Sequence, residues 1–95
     1  MKNEFCLIRA NNAGVFFGRV ARRDHDEVDL EDVRRIWYWE GACSLSQLAV
    51  DGTKKPSGCK FTVTVPKMTV LGVCEIIPCS EKAIESIGSV PEWKI

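Results

Sequence analysis

Apolar and polar positions alternate along much of the first forty residues, and that two-residue period predicts strands. The first is Phe5-Cys6-Leu7-Ile8-Arg9, closed by Asn11-Asn12-Ala13-Gly14, residues that tolerate positive φ in a turn. The second runs from Val15 to Arg22, where Gly18 marks a bulge, a bend or a close backbone approach. Asp24-His25-Asp26 is a polar hairpin turn. The third strand starts at Glu27, kinks near Glu31-Asp32 and resumes as the β-branched and aromatic run Val33-Arg34-Arg35-Ile36-Trp37-Tyr38-Trp39-Glu40.

Gly41-Ala42-Cys43 breaks this pattern. Ser44-Leu45-Ser46-Gln47 reads as a capping box opening a short helix through Leu48 and Ala49 that stops at Asp51-Gly52. Thr53 to Gly58 is a loop. The fourth strand is Lys60 to Val65, with Phe61, Val63 and Val65 facing in and Thr62 and Thr64 facing out; Pro66-Lys67 interrupts it. The fifth covers Thr69 to Ile77, bent at Gly72. Ser80 then caps a second helix that sets Ala83, Ile84 and Ile87 on one face, and Gly88 ends it. Pro91-Glu92-Trp93 is a tail docked through Trp93. The expected architecture is a β-rich α+β fold: a small five-stranded, SH3-like partly open barrel, or a curved antiparallel sheet, with two short helices. Its edges need cover, and self-association into a homo-oligomer is the expected cover for so small a core.

Length and charge narrow the function classes. Ninety-five residues make one domain, 1–95. Thirteen Lys+Arg balance thirteen Asp+Glu, which excludes a generic DNA-coating protein and an acidic DNA mimic. No apolar run is long enough to span a bilayer. Met1-Lys2-Asn3-Glu4-Phe5 has no apolar signal core, so a cytoplasmic location is expected. The five cysteines, at 6, 43, 59, 74 and 79, are odd in number and form no Cys-x-x-Cys pair. They read as free thiols rather than as a disulfide scaffold, and with a single histidine no zinc site is expected.

Catalytic motifs and cofactor-binding motifs are not found. His25 lies on a hairpin turn, and Cys43, near a helix start, has no partner base in sequence. The arginines carry more information. All six lie in the first 35 residues: Arg9, Arg19, Arg22, Arg23, Arg34 and Arg35. Guanidinium makes planar bidentate contacts with phosphate. On a regular strand Arg35, Trp37 and Trp39 share one face, and Arg34, Ile36 and Tyr38 the other. A cation beside large aromatics can stack a base and hold a phosphate. The candidate ligand-binding set is therefore Arg34 or Arg35 with Trp37, Tyr38 and Trp39, and Arg19, Arg22, Lys54 and Lys55 as outer members. Against this stands the plain alternative, that the arginines pair with Asp29, Glu31 and Asp32 and that the tryptophans are core.

Three stretches are specific enough to suggest kinship: Ala13-Gly14-Val15-Phe16-Phe17-Gly18, Val33 through Ala42, and Ser44-Leu45-Ser46-Gln47-Leu48-Ala49. With Cys59-Lys60-Phe61-Thr62-Val63, Glu75-Ile76-Ile77-Pro78 and Val90-Pro91-Glu92-Trp93-Lys94, the chain resembles a family of small uncharacterised phage and prophage proteins. The resemblance implies an origin and transfers no catalytic residue. It leads to the expectation of a non-enzymatic accessory protein in the host cytoplasm, a sponge that sequesters a small cyclic-nucleotide-type immune signal. The alternatives are an inhibitor that binds a host defence protein, as anti-CRISPR proteins do, or a small RNA-binding barrel. Neither membrane nor DNA is an expected partner.

Overall fold

The computed structural model describes residues 3–95; Met1 and Lys2, part of the N-terminal stretch read above, lie outside the described residues. The element order is β1 (Phe5–Ala10), β2 (Gly14–Asp24), β3 (Glu27–Tyr38), α1 (Leu45–Asp51), β4 (Lys60–Phe61), β5 (Val65–Val70), β6 (Val73–Pro78) and α2 (Glu81–Gly88), with a 3-10 turn at Pro56–Gly58 before β4. The sheet has six strands, is antiparallel throughout and is not closed. Its order is β4-β3-β2-β1-β6, and β5 follows β4 along the same edge of β3.

Six strands replace the expected five because of Gly72. Instead of bending one strand from Thr69 to Ile77, it adopts φ +72° and lets the chain leave the β3 edge and cross to the β1 edge. Only Leu71 and Gly72 link β5 to β6, so opposite edges of the sheet meet there and the sheet curls. Two backbone bonds seal the corner: Asn11 N–H donates to the Gly72 carbonyl at 3.0 Å and Val73 N–H to the Asp26 carbonyl at 2.9 Å. No ladder joins β5 to β6 among the described residues.

Curling gives the central strands two buried faces. Inside the curl lie Cys6, Ile8, Phe16, Val20, Val28, Leu30, Val33 and Val70. On the other face Leu7, Phe17 and Ile36 meet Leu48 and Ala49 of α1, Ala83 and Ile87 of α2, and Phe61. This is why β1 reads as an unbroken apolar run from Phe5 to Ile8 rather than an alternation. Gly18 lies at the register shift between Phe17 and Arg19, opposite the bulged part of β3.

Two irregularities in β3 set the phase of everything downstream. Asp32, at φ +53°, inserts a bulge, so the inner face runs Val28, Leu30 and then Val33. A second register shift lies between Ile36 and Tyr38, so the helix-side face runs Ile36 and then Trp39. The expected grouping of Arg35, Trp37 and Trp39 opposite Arg34, Ile36 and Tyr38 is therefore corrected. Arg35, Trp37 and Tyr38 are exposed, while Arg34 and Ile36 are buried and Trp39 is half-buried.

The fourth strand is also corrected. Phe61 is buried, but Val63 is 39% exposed, because the strand stops at Phe61 and resumes only at Val65. Pro66 and Lys67 do not interrupt a strand but lie within β5, where Val65 pairs with Val33 and Lys67 with Glu31 and Pro66 falls between the two pairs. The caps are as read: Ser44 Oγ accepts from Gln47 N–H, and Ser80 Oγ from Ala83 N–H. The Gln47 amide oxygen accepts from Cys43 N–H, one residue before the cap.

Candidate functional site at the mouth of the curled sheet

Arg34 and Arg35 leave β3 in opposite directions. Arg34 is 4% exposed and makes four hydrogen bonds to backbone carbonyls: Thr62 at 3.0 Å, Ile87 at 3.0 Å, Phe61 at 3.3 Å and Pro91 at 3.3 Å. It ties the break after β4, the end of α2 and the C-terminal tail to one side chain. Burial lowers its pKa from the ordinary arginine value, opposed by the charge of Glu92. Arg34 therefore leaves the candidate ligand set, since no face of it is presented to solution.

Arg35 is exposed and lies over the Phe16 ring, 4.9 Å from its centroid. Phe16 is its cross-strand partner on β2 and belongs to the inner core. Here the curl opens into a groove of about 500 Å³, lined by Asn12, Ala13, Phe16, Arg35, Met68, Thr69, Val70, Leu71 and Gly72. Among the described residues, Arg35 is the one arginine whose guanidinium has no hydrogen bond or ion pair. Arg9 pairs with Glu75 at 3.2 Å, and Arg23 donates to the His25 carbonyl at 2.8 Å.

The outer arginines are occupied. Arg19 contacts Glu31 at 3.0 Å and Asp32 at 2.7 Å, and Arg22 contacts Glu27 at 2.6 Å and Asp29 at 2.8 Å. Hydrogen bonds to these carboxylates raise both arginine pKa values. The carboxylates named in the plain reading thus claim Arg19 and Arg22, not Arg34 and Arg35. Lys54 and Lys55 are exposed, away from the groove lining, on a loop pinned by Lys54 N–H to the Gly41 carbonyl and Lys55 N–H to Thr53 Oγ1.

The aromatic residues divide as well. Trp37 is 59% exposed and stacks on Trp93 of the tail, centroids 4.9 Å apart and planes at 29°. Lys60 Nζ lies over both rings, at 5.3 and 5.5 Å. The tail is held there by Trp93 N–H donating to the Phe61 carbonyl at 2.8 Å. Tyr38 donates its hydroxyl to Glu40 at 2.8 Å, and that bond raises its pKa. Trp39 packs toward the helices, its indole N–H on the Ala42 carbonyl at 3.2 Å, and does not join the exposed set. Of the expected group, Arg35, Trp37 and Tyr38 are exposed, each with its own neighbours: Phe16, Trp93 and Glu40.

Phe16, Met68 and Leu71 complete the groove, and Lys60 and Trp93 complete the aromatic pair; sequence reasoning singled out none of these as site residues. Phe16 carried a usable signal. The two bulges of the β2–β3 hairpin, one on each strand, cancel, so counting outward from the His25 turn places Phe16 opposite Arg35. His25 itself is exposed, with Nδ1 2.8 Å from Asp24, and Cys43 is exposed beside Ser44. No group of three or more metal-ligating side chains occurs among the described residues, and no helix there is long and apolar enough to cross a membrane.

Comparison with protein families matches residues 3–87 to a domain of unknown function, DUF6948, and the chain belongs to that family. Comparison with curated proteins gave no match, and neither did comparison with solved structures.

Proposed function

We propose that this DUF6948 member is a binding protein rather than an enzyme, and that it captures a small anionic nucleotide-type ligand in the groove under Arg35. The observation that carries this reading is the contrast among the arginines: five are committed to partners, and the uncommitted one overhangs an apolar groove. A guanidinium held against an aromatic ring offers its N–H fork to a phosphate, and the apolar walls suit a base. Zero net charge suits a small anion better than a nucleic-acid polymer.

The resemblance to phage and prophage proteins gives this binding a purpose: to sequester a nucleotide immune signal in the cytoplasm of the host. In this reading the protein works as a homo-oligomer, whose contacts cover the outer edges of β5 and β6. The test is native mass spectrometry with a panel of cyclic mono- and dinucleotides and ADP-ribose. The wild type gains stoichiometric ligand mass and Arg35→Ala does not; a protein that ignores the whole panel contradicts the proposal.

A second reading has its own support. Trp37, Tyr38 and Trp93 are all exposed, residue types enriched in protein-binding hot spots. If the nucleotide panel fails, capture of a purified host defence enzyme that is lost in Trp37→Ala would favour an inhibitor.

A further inference from the structure

The charges lining the groove bear on which nucleotides it takes. Arg35 is the one charged side chain in the lining. A smaller groove, of about 260 Å³, adjoins it and shares Met68 and Thr69. That neighbour is acidic. Asp29 and Glu31 line it, with Lys67, and the ion pairs behind them join two arginines to four carboxylates. Thr69 cannot turn its hydroxyl proton to a ligand without giving up its 2.6 Å bond to Asp29.

We propose that the groove selects a singly charged phosphodiester, such as a cyclic mononucleotide, over nucleotides with terminal phosphates; this rests on the reading of the groove as a nucleotide site. One guanidinium matches the two free oxygens and single charge of a phosphodiester. A terminal phosphate, at about −1.5 to −2 near neutral pH, carries more charge than the one guanidinium of the lining neutralises. A polyphosphate carries still more, and extended past Met68 and Thr69 it meets the carboxylates of the next groove.

Calorimetric titration with the 3′,5′-cyclic monophosphate, 5′-monophosphate and 5′-triphosphate of adenosine and of guanosine tests this. For one base or the other, the cyclic form is expected to bind at least tenfold tighter than both the 5′-monophosphate and the triphosphate, and Arg35→Gln to abolish that binding. Monophosphate or triphosphate binding that equals or exceeds the cyclic form and is lost in Arg35→Gln overturns the selectivity and leaves the anion site standing. If none of the six binds, or if Arg35→Gln changes nothing, the selectivity falls together with the nucleotide site itself.

Discussion

On the helix side of β3, Arg34 spends its hydrogen-bonding capacity on four carbonyls from three separate segments. One residue later, on the inner side of the same strand, Arg35 has only an aromatic ring beneath it and an open groove beside it. Residue type and near-identical sequence position do not separate these two; burial and partners do. A buried arginine whose three guanidinium nitrogens all meet acceptors acts as a structural pin; removing it takes the side-chain donor from the Thr62 and Pro91 carbonyls, while those of Phe61 and Ile87 keep backbone donors from Trp93 and Val90. An exposed arginine without a carboxylate contributes little to folding and keeps its donors for a ligand. The comparison also shows where the plain reading of the arginine-rich half was right. Arg19 and Arg22 do pair with the acids of their own hairpin, an arrangement that leaves Arg35 free.

The sharpest way to break the comparison is to mutate the pin. Arg34→Met keeps much of the volume and removes every donor. It is expected to cost about 2 kcal/mol or more, since the Thr62 and Pro91 carbonyls lose their donor and each orphaned acceptor costs roughly 1–3 kcal/mol. For a domain of this size that is a fall of about 10 °C or more in Tm, read by thermal unfolding. A loss below about 1 kcal/mol would mean that water replaces the guanidinium and that the carbonyls were never sealed.

Arg35→Ala is the counterpart. Its stability should stay within about 0.5 kcal/mol of wild type, while nucleotide binding is lost, since the two charged hydrogen bonds of the fork are worth about 1.5–3 kcal/mol each. Calorimetric titration measures the second and urea unfolding the first. Arg35→Lys, which keeps the charge without the fork, should fall between wild type and alanine in affinity.

Trp93→Ala sharpens the contrast from the tail. It removes the stack on Trp37, worth about 0.5–1.5 kcal/mol, and leaves the Arg34 bond to the Pro91 carbonyl in place. The expected result is a destabilisation of about 1 kcal/mol in urea unfolding, below that of Arg34→Met. A loss as large as that of Arg34→Met would make the tail, not the buried arginine, the main clasp.

The thiols repeat the division between sealed and open. Burial pushes Cys6 up to about 11 and Cys79 up to about 12, from an ordinary value of 9.0. Both hold their protons longer in the folded chain than in the unfolded one. Their contribution to stability is therefore full below pH 9 and is lost as pH rises toward 11 and 12. Urea midpoints should decline between pH 8.5 and 10.5, less so in Cys6→Ala/Cys79→Ala. A thiol reagent at pH 8 should modify Cys43 and Cys74, both exposed, well before Cys6.

Features written in local chemistry were legible in the sequence. The turns at Asn11 and His25, the caps at Ser44 and Ser80, the kink at Asp32 and the helical face of Ala83 and Ile87 each depend on a few neighbouring residues. What escaped depends on phase or on distance along the chain. Without the bulge between Ile36 and Tyr38, Trp39 would belong with Trp37; with it, Trp39 turns toward the helices. Val63 fits a clean alternation, yet the break after Phe61 exposes it. Gly72 announced a bend, but not that the chain would cross between opposite sheet edges there. The candidate site follows the same division. Arg35 and Trp37 stood out by residue type, whereas Met68, Leu71 and Trp93 arrive only through the curl of the sheet and the return of the tail.

The most direct test measures ligand binding and unfolding together for wild type and Arg35→Ala, with the cyclic mononucleotides as ligands. The expected result is an Arg35→Ala protein that unfolds like wild type and binds none of them. An Arg35→Ala protein that keeps wild-type affinity, or that unfolds as readily as Arg34→Met, would contradict the division of labour between the two arginines.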